Sequence, residues 1–242
     1  LKLLSIKRKS KYLLFFFNKG LVMIAHLGMT GKFFIINKKK TKFKTSFYYN
    51  LDNNKNSKHD RIVFNFRNKL QLIYNDVRKF GFIKLDVAKN LKKNPHLCLL
   101  GPEPLGKKFN FKYFKNYLKG KRRLIKDLLM DQKFVSGLGN IYVNEILFFS
   151  KVMPTRKIDK LRDLEIKKIV SYTKKILKKA IKLGGSSIKN FSSSSGKTGS
   201  FQQHFGVYGK LNGKCSNSDC NEKIKKVILS NRSSFFCSKC QK

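Results

Sequence analysis

The chain has 242 residues and a formal net charge of +42 at pH 7, from 55 Lys and Arg against 13 Asp and Glu. A charge of this size excludes a soluble enzyme that acts on small neutral metabolites, and it favours a polyanionic partner: nucleic acid first, an anionic membrane second. A composition with 22 Phe, 4 Pro and no Trp is also typical of drift towards AT-rich codons, which enriches lysine without any function. Charge alone therefore indicates nucleic acid without proving it.

Hydrophobic residues make up 41% of the chain, which is enough for a packed core in one or two domains. The longest apolar runs fall well short of the ~20 residues that a membrane-spanning helix needs. No signal-peptide pattern precedes them, so we expect an intracellular, cytoplasmic protein with no membrane partner. The chain opens on Leu1 within a strand-like pattern, and we expect it to be a fragment whose true N-terminus is missing.

The first hundred residues predict antiparallel β structure. Asn18-Lys19-Gly20 joins two apolar runs, which is typical of a hairpin. Polar or Asn-rich turns separate the strands that follow. The predicted strands cover residues 12–17, 21–26, 33–36, 46–51, 61–66, 70–74 and 80–85. Short strands at this spacing predict a sandwich or a barrel.

The pattern then changes to a helical one. Gly101-Pro102-Glu103-Pro104-Leu105-Gly106 is a rigid, non-helical connector, where we place a domain boundary. Apolar residues between 166 and 181 recur at helical spacing, lysines fill the opposite face, and Gly184-Gly185 ends the helix. Shorter helices are predicted at residues 111–118, 124–130 and 141–149, and a Ser/Gly loop at 192–200.

Four cysteines near the C-terminus form the most specific local pattern, Cys215-x4-Cys220-x16-Cys237-x2-Cys240. Two pairs at this spacing can supply four thiolates to one tetrahedral Zn²⁺, which closes the site and makes it structural. Two disulfides are the alternative, which a reducing compartment disfavours. The segment between the pairs predicts two strands, 224–229 and 233–236, around a tip at Ser230-Asn231-Arg232. Arg232 would then project from a metal-bound hairpin.

The fifth cysteine, Cys98, lies in an apolar run. We expect it to be a buried small side chain rather than an additional metal ligand.

A longer pattern surrounds residue 140. The run from Met130-Asp131-Gln132-Lys133 through Gly137-Leu138-Gly139-Asn140-Ile141-Tyr142 to Glu145 resembles the helix–two-turn–helix signature of formamidopyrimidine-DNA glycosylases. Further matches follow in the family's order over essentially the whole chain. They are Lys11-Tyr12-Leu13-Leu14, His26-Leu27-Gly28-Met29-Thr30-Gly31, Lys58-His59-Asp60, Arg78-Lys79-Phe80-Gly81, Leu100-Gly101-Pro102-Glu103-Pro104-Leu105, Gly196-Lys197-Thr198-Gly199, Val207-Tyr208-Gly209-Lys210 and the terminal Cys-x2-Cys-Gln-Lys.

The resemblance implies a base-excision-repair enzyme that acts on double-stranded damaged DNA. Such enzymes remove 8-oxoguanine or ring-opened purines and then cleave the strand by β- and δ-elimination. Their nucleophile is the amine of an N-terminal proline that a glutamate follows. This sequence starts with neither residue, so we expect the chain as given to be inactive.

Several catalytic roles are implied at matching positions. Lys11 matches a lysine that donates a proton in β-elimination and contacts phosphate. Arg232 matches an arginine that assists δ-elimination, and a guanidinium can hold a phosphate with two parallel bonds. Glu145 matches the residue that orients the proline amine. Residues 192–201 match a mobile loop that covers the extruded purine.

Other matches imply contacts with DNA. Met29, Arg78 and Phe80 match a trio that fills the space left by an extruded nucleotide. For Met29 and Phe80, ordinary core packing is the alternative. The remaining implied DNA-binding residues are His59, Lys126, Asn140 and either Lys121 or Arg122, of which the register favours Lys121.

The fold predicted from these patterns is α+β with three parts. An incomplete antiparallel β-sandwich domain covers residues 1–105, a helix–two-turn–helix domain 106–206, and a β-hairpin zinc finger with one structural Zn²⁺ 207–242. We expect a monomer associated with the nucleoid. Two other functions remain open: a non-catalytic damaged-DNA-binding remnant, and a zinc-ribbon RNA-binding protein with accidental similarity.

Overall fold

The computed structural model describes residues 1–37, 56–67, 69–186 and 199–242. The chain forms two compact units: the first combines Leu1–Asn94 with Lys182–Gln203, and the second combines Pro95–Ile181 with His204–Lys242. The predicted strand at 46–51 and all but the end of the predicted loop at 192–200 lie outside the described residues. The division into three domains stays a prediction.

Two antiparallel sheets build the first unit. The strands are β1 (Leu3–Lys9), β2 (Tyr12–Phe17), β3 (Leu21–His26), β4 (Lys32–Asn37), β5 (Asp60–Asn65), β6 (Leu70–Asn75) and β7 (Phe82–Val87). One sheet has the order β1-β2-β3-β7 and the other the order β4-β6-β5. Phe15 and Met23 of the first sheet share a buried cluster with Phe33, Leu72 and Tyr74 of the second. The two sheets therefore pack face to face around this shared cluster.

The second unit contains the helices and a two-stranded hairpin. The helices are α1 (Phe111–Leu118), α2 (Ile125–Met130), α3 (Asn140–Phe149) and α4 (Asp163–Lys182), and the hairpin pairs β8 (Lys225–Leu229) with β9 (Arg232–Phe236). Asn110 caps α1, because its side chain accepts a hydrogen bond from the Tyr113 amide at 2.9 Å. Phe109, Phe114 and Phe134 are fully buried around these helices. The predicted α+β class is confirmed.

Cys98 corrects one expectation. Its side chain is exposed rather than buried. The preceding Leu97 is 1% exposed and occupies the core position, so a non-helical turn directs the next side chain outwards.

In the part of the chain that the structure describes, no helix combines the length and the hydropathy needed to cross a bilayer.

Candidate nucleic-acid interface and metal centre

Met29, Arg78 and Phe80 form an exposed cluster on the first unit, which we call the wedge cluster. The Arg78 guanidinium donates a hydrogen bond to the Met29 sulfur at 3.3 Å, and its central carbon lies 4.6 Å from the centre of the Phe80 ring. Met29 is 42% exposed and Phe80 is 58% exposed. The alternative of core packing is therefore wrong for both side chains. An apolar chain, an aromatic ring and a cation held together at a surface suit insertion between bases.

Glycines allow the two loops of the wedge cluster to approach each other closely. Gly28, with φ +61°, directly precedes Met29, and Gly81 directly follows Phe80. A Cβ atom at Gly28 would lie 2.6 Å from the Gly81 amide nitrogen, and one at Gly81 would collide with the Tyr74 hydroxyl. Backbone atoms therefore touch where any other residue would force the loops apart.

Lys11 and His59 also belong to the first unit. Lys11 is exposed in the two-residue turn between β1 and β2, where Ser10 adopts φ 56°. His59 is half-buried directly before β5, and its carbonyl accepts a hydrogen bond from the Asp76 amide at 3.0 Å. Their roles stay predictions.

In the second unit, the ammonium group of Lys126 is enclosed beneath the hairpin. Lys126 is 1% exposed and lies on α2. It donates hydrogen bonds to the Ser234 hydroxyl at 2.5 Å, the Ser233 carbonyl at 3.1 Å and the Arg232 carbonyl at 3.3 Å. A cation satisfied by three acceptors fixes the start of β9 against α2.

Arg232 and Asn140 lie at the same hairpin. Arg232 is exposed, and beside it opens a cavity of about 240 Å³ that Arg123 and Lys126 also line. The Asn140 side-chain amide, at the start of α3, donates to the Ser233 carbonyl at 3.0 Å. Three residues singled out in the sequence, Lys126, Asn140 and Arg232, are therefore brought together.

The two remaining basic candidates are both exposed, in the connection from α1 to α2. The Lys121 ammonium donates to the Tyr117 carbonyl at 2.7 Å and lies 4.3 Å from the centre of the Tyr117 ring. Arg122 follows it in the chain. The choice between Lys121 and Arg122 stays a prediction.

We expect the stability of the protein to respond to Lys126 at alkaline pH. Burial is the main cause that lowers the pKa of Lys126 to about 8, with a smaller contribution from Arg232 and opposition from Asp127. The unfolded chain keeps its lysine proton up to about pH 10.4, so between pH 8 and that value the unfolded state binds more protons and the free energy of unfolding rises with pH. The rise should reach about 3 kcal/mol at most.

A comparison with Lys126→Met isolates this effect from the titration of the other lysines. Urea unfolding at several pH values between 7 and 10.5 should show the wild type gaining stability relative to the variant. If the difference in the free energy of unfolding between the two proteins does not change with pH, the pKa of Lys126 is not lowered.

Glu145 is buried in α3 and receives three backbone hydrogen bonds. Its carboxylate accepts from the amides of Gly206 at 2.6 Å, Tyr208 at 2.8 Å and Val207 at 3.1 Å. Burial raises the pKa of Glu145, and these donors together with Lys210 oppose the rise. The carboxylate therefore fastens the segment that leads into the metal centre to the middle of α3.

The sulfur atoms of Cys215, Cys220, Cys237 and Cys240 all lie within 4.8 Å of one another. The Cys215–Cys240 sulfur distance is 3.8 Å and the Cys220–Cys237 distance is 3.6 Å. A disulfide bond is only about 2.05 Å long. Tetrahedral coordination at about 2.3 Å per bond separates the sulfurs by about 3.8 Å. The four thiols therefore fit one metal ion, and the x4 gap of the first pair is accommodated.

Gln241 connects the cysteine cluster to the helices. Its side-chain oxygen accepts from the Cys237 amide at 2.9 Å, and its side-chain nitrogen donates to the Val152 carbonyl at 2.8 Å. The Met153 amide donates to the Lys242 carbonyl at 3.0 Å, and the Lys242 amide to the Lys151 carbonyl at 3.2 Å. The hairpin and the segment after α3 thus share one network.

Comparisons with known proteins agree over both units. A family model described as the formamidopyrimidine-DNA glycosylase N-terminal domain matches residues 1–83, and one described as the H2TH domain of the same glycosylase matches residues 100–192. A formamidopyrimidine-DNA glycosylase of Roseobacter denitrificans is 36% identical over 237 residues, covering 98% of this chain and 82% of that protein. One of Dinoroseobacter shibae is 37% identical over 241 residues, covering 100% and 83%.

A solved structure of a protein with the same family name is also similar to this chain. Lactococcus lactis Fpg, in complex with DNA that contains an abasic site, superposes with a TM-score of 0.83 at 35% identity, covering 99% of this chain and 82% of that one.

Proposed function

Since this chain belongs to the formamidopyrimidine-DNA glycosylase family, we propose that it recognises oxidised purines in double-stranded DNA and serves their excision. The lesions are 8-oxoguanine and formamidopyrimidines, and the abasic site left behind is cleaved by β- and δ-elimination. The protein acts as a monomer on DNA of the nucleoid.

The wedge cluster is the observation that carries this proposal. Chemistry on a base inside a duplex requires extrusion of the nucleotide, and the vacated space has to be filled. Met29 and Phe80 are exposed apolar side chains beside the Arg78 guanidinium, which can donate to the base that has lost its partner. Apolar side chains held at the surface beside a cation suit insertion between base steps, so this arrangement fits a DNA-binding surface.

The elimination steps need proton donors and phosphate contacts. We assign Lys11, exposed in its turn, as the proton donor of β-elimination, and Arg232, exposed at the start of β9, as the residue that assists δ-elimination. Lys126 and Asn140 hold the backbone of the hairpin from which Arg232 projects. With its backbone held in this way, the Arg232 guanidinium can neutralise a leaving phosphate. His59 and either Lys121 or Arg122 add phosphate contacts.

The metal that fits the four cysteines is zinc. Thiolates are soft ligands, and a closed set of four is typical of structural Zn²⁺ sites. Cys215, Cys220, Cys237 and Cys240 would hold it. When bound, zinc supplies folding energy to the hairpin and takes no part in the reaction.

The proposal is tested with three labelled duplexes that carry 8-oxoguanine, a tetrahydrofuran abasic analogue or no lesion. We expect tighter binding to both modified duplexes than to the undamaged one. Base release, strand cleavage and borohydride trapping are measured on the full-length protein. Equal affinity for all three duplexes would refute damage recognition, whereas selective binding without base release or trapping would favour the non-catalytic alternative.

Arg232→Ala should weaken binding to every duplex and reduce its dependence on salt. One neutralised phosphate contributes about 0.9 to the slope of log affinity against log salt concentration, and we expect the slope to fall by about that amount. Lys178→Ala, which removes one exposed charge from α4, is the matched control and should leave the slope unchanged. An equal change of slope in both variants would mean that net charge alone governs binding.

A further inference from the structure

A buried carboxylate lies directly behind the wedge cluster. Asp76 follows β6 and is fully buried, at 0% exposure. No feature of the sequence pattern pointed to it. Each of its two oxygens accepts two hydrogen bonds. Three of the four donors lie in the loops that carry Met29, Arg78 and Phe80, and the fourth is the hydroxyl of Tyr74 in β6.

The first oxygen joins the two loops of the wedge cluster. Asp76 Oδ1 accepts from the Thr30 hydroxyl at 2.5 Å and from the Arg78 amide at 3.2 Å. The same Arg78 amide lies 3.1 Å from the Thr30 hydroxyl oxygen, to which it also donates. Thr30 is the neighbour of Met29, so this triangle connects the chain next to Met29 with the backbone of Arg78.

The second oxygen holds the far side of the Arg78 loop. Asp76 Oδ2 accepts from the Gly81 amide at 2.9 Å and from the Tyr74 hydroxyl at 3.1 Å. Gly81 directly follows Phe80, so the loop between Arg78 and Phe80 is fastened at both ends to one carboxylate. Burial alone would raise the pKa of Asp76, but the bonds from Thr30, Gly81, Tyr74 and Arg78 outweigh it and lower the pKa below its ordinary value.

We propose that Asp76 and Thr30 are positioning residues for damage recognition: through Asp76 they hold Met29, Arg78 and Phe80 at one fixed spacing, ready to fill the space of an extruded nucleotide. The inference rests on the proposed function. Three side chains from two loops insert best when the two loops already have the right relative position in the free protein. If the loops became ordered only on the DNA, the loss of conformational entropy would reduce affinity. The fixed carboxylate supplies that order in the free protein.

The measurement is the ratio of two dissociation constants, for undamaged duplex over duplex with a tetrahydrofuran abasic analogue. Thr30→Val removes the hydroxyl and keeps the shape, whereas Thr30→Ser keeps the hydroxyl. Asp76→Asn replaces one acceptor oxygen by an N–H₂ group, which cannot accept the hydrogen bonds that the carboxylate receives. Loss of a hydrogen bond to a charged group should reduce the ratio about tenfold in Thr30→Val and in Asp76→Asn, with Thr30→Ser close to the wild type.

Ile73→Ala is the control for general destabilisation, since Ile73 is a buried side chain of β6, the strand that leads to Asp76, and is 4% exposed. It should leave the ratio unchanged. The positioning role is overturned if Thr30→Val keeps the wild-type ratio, or if its affinity falls equally for both duplexes. If Asp76→Asn does not fold, the Thr30 pair alone decides. A wild type without preference for the abasic duplex would instead refute the proposed function.

Discussion

Cys237→Ser should abolish zinc binding and unfold the hairpin of β8 and β9. Cys237 is fully buried and its sulfur lies 3.6 Å from that of Cys220. Structural zinc contributes on the order of 10 kcal/mol to small thiolate sites, far more than the few apolar side chains of this hairpin can replace. Metal content by mass spectrometry under native conditions should fall from about one zinc per chain to near zero. Trypsin should then cleave at the lysines of residues 207–242.

Cys98→Ser is the matched control, because Cys98 is an exposed thiol outside the cluster. It should keep the zinc and the resistance to trypsin. Zinc retained at wild-type stoichiometry in Cys237→Ser would show that the four sulfurs do not form one metal centre.

Glu145→Gln should lower the stability of the second unit by about 2–4 kcal/mol. The carboxylate accepts amide bonds from Gly206, Val207 and Tyr208, whereas a glutamine keeps one acceptor oxygen and turns an N–H₂ group towards the remaining donors. Buried donors left without acceptors account for the cost. Urea unfolding should show the loss, and hydrogen exchange should increase first at the three amides.

Glu165→Gln provides the comparison for the loss of a buried negative charge. Glu165 is 5% exposed, but two of its three partners are the guanidinium groups of Arg156 and Arg162, which can turn towards water. We expect a smaller loss than in Glu145→Gln and no change of exchange at residues 206–208. Equal losses in both variants would argue against a specific role of the three backbone bonds.

Strand and helix positions could be predicted largely from the sequence, because hydrophobic period and turn residues are local signals. The predicted helix at 111–118 coincides with α1, and the predicted strands at 12–17 and 21–26 coincide with β2 and β3. The pairing of strands into two sheets could not be predicted in this way. It depends on contacts between residues far apart in the chain, such as those of β3 with β7.

The candidate site could be predicted where the type and spacing of residues are themselves typical of one chemistry. The cysteine spacing indicated a metal centre, and the four sulfurs do converge. Asp76 was missed because one acid among turn residues gives no pattern, although it directly follows strand β6 and only Val77 separates it from Arg78. The sequence also gave no sign that Lys126 is buried, since lysines on a helix of such a basic chain are expected in solvent.

The network at Gln241 has a consequence for protein engineering. Because residues 241 and 242 bond to the backbone of residues 151–153, the metal-binding hairpin and the stretch after α3 are one cooperative part. In a chimaera that exchanges only the hairpin between homologues, residues 241 and 242 would have to bond to the backbone of residues 151–153 from the other protein. The segment to transfer is therefore discontinuous in sequence. It comprises the hairpin with its four cysteines, together with residues 151–153.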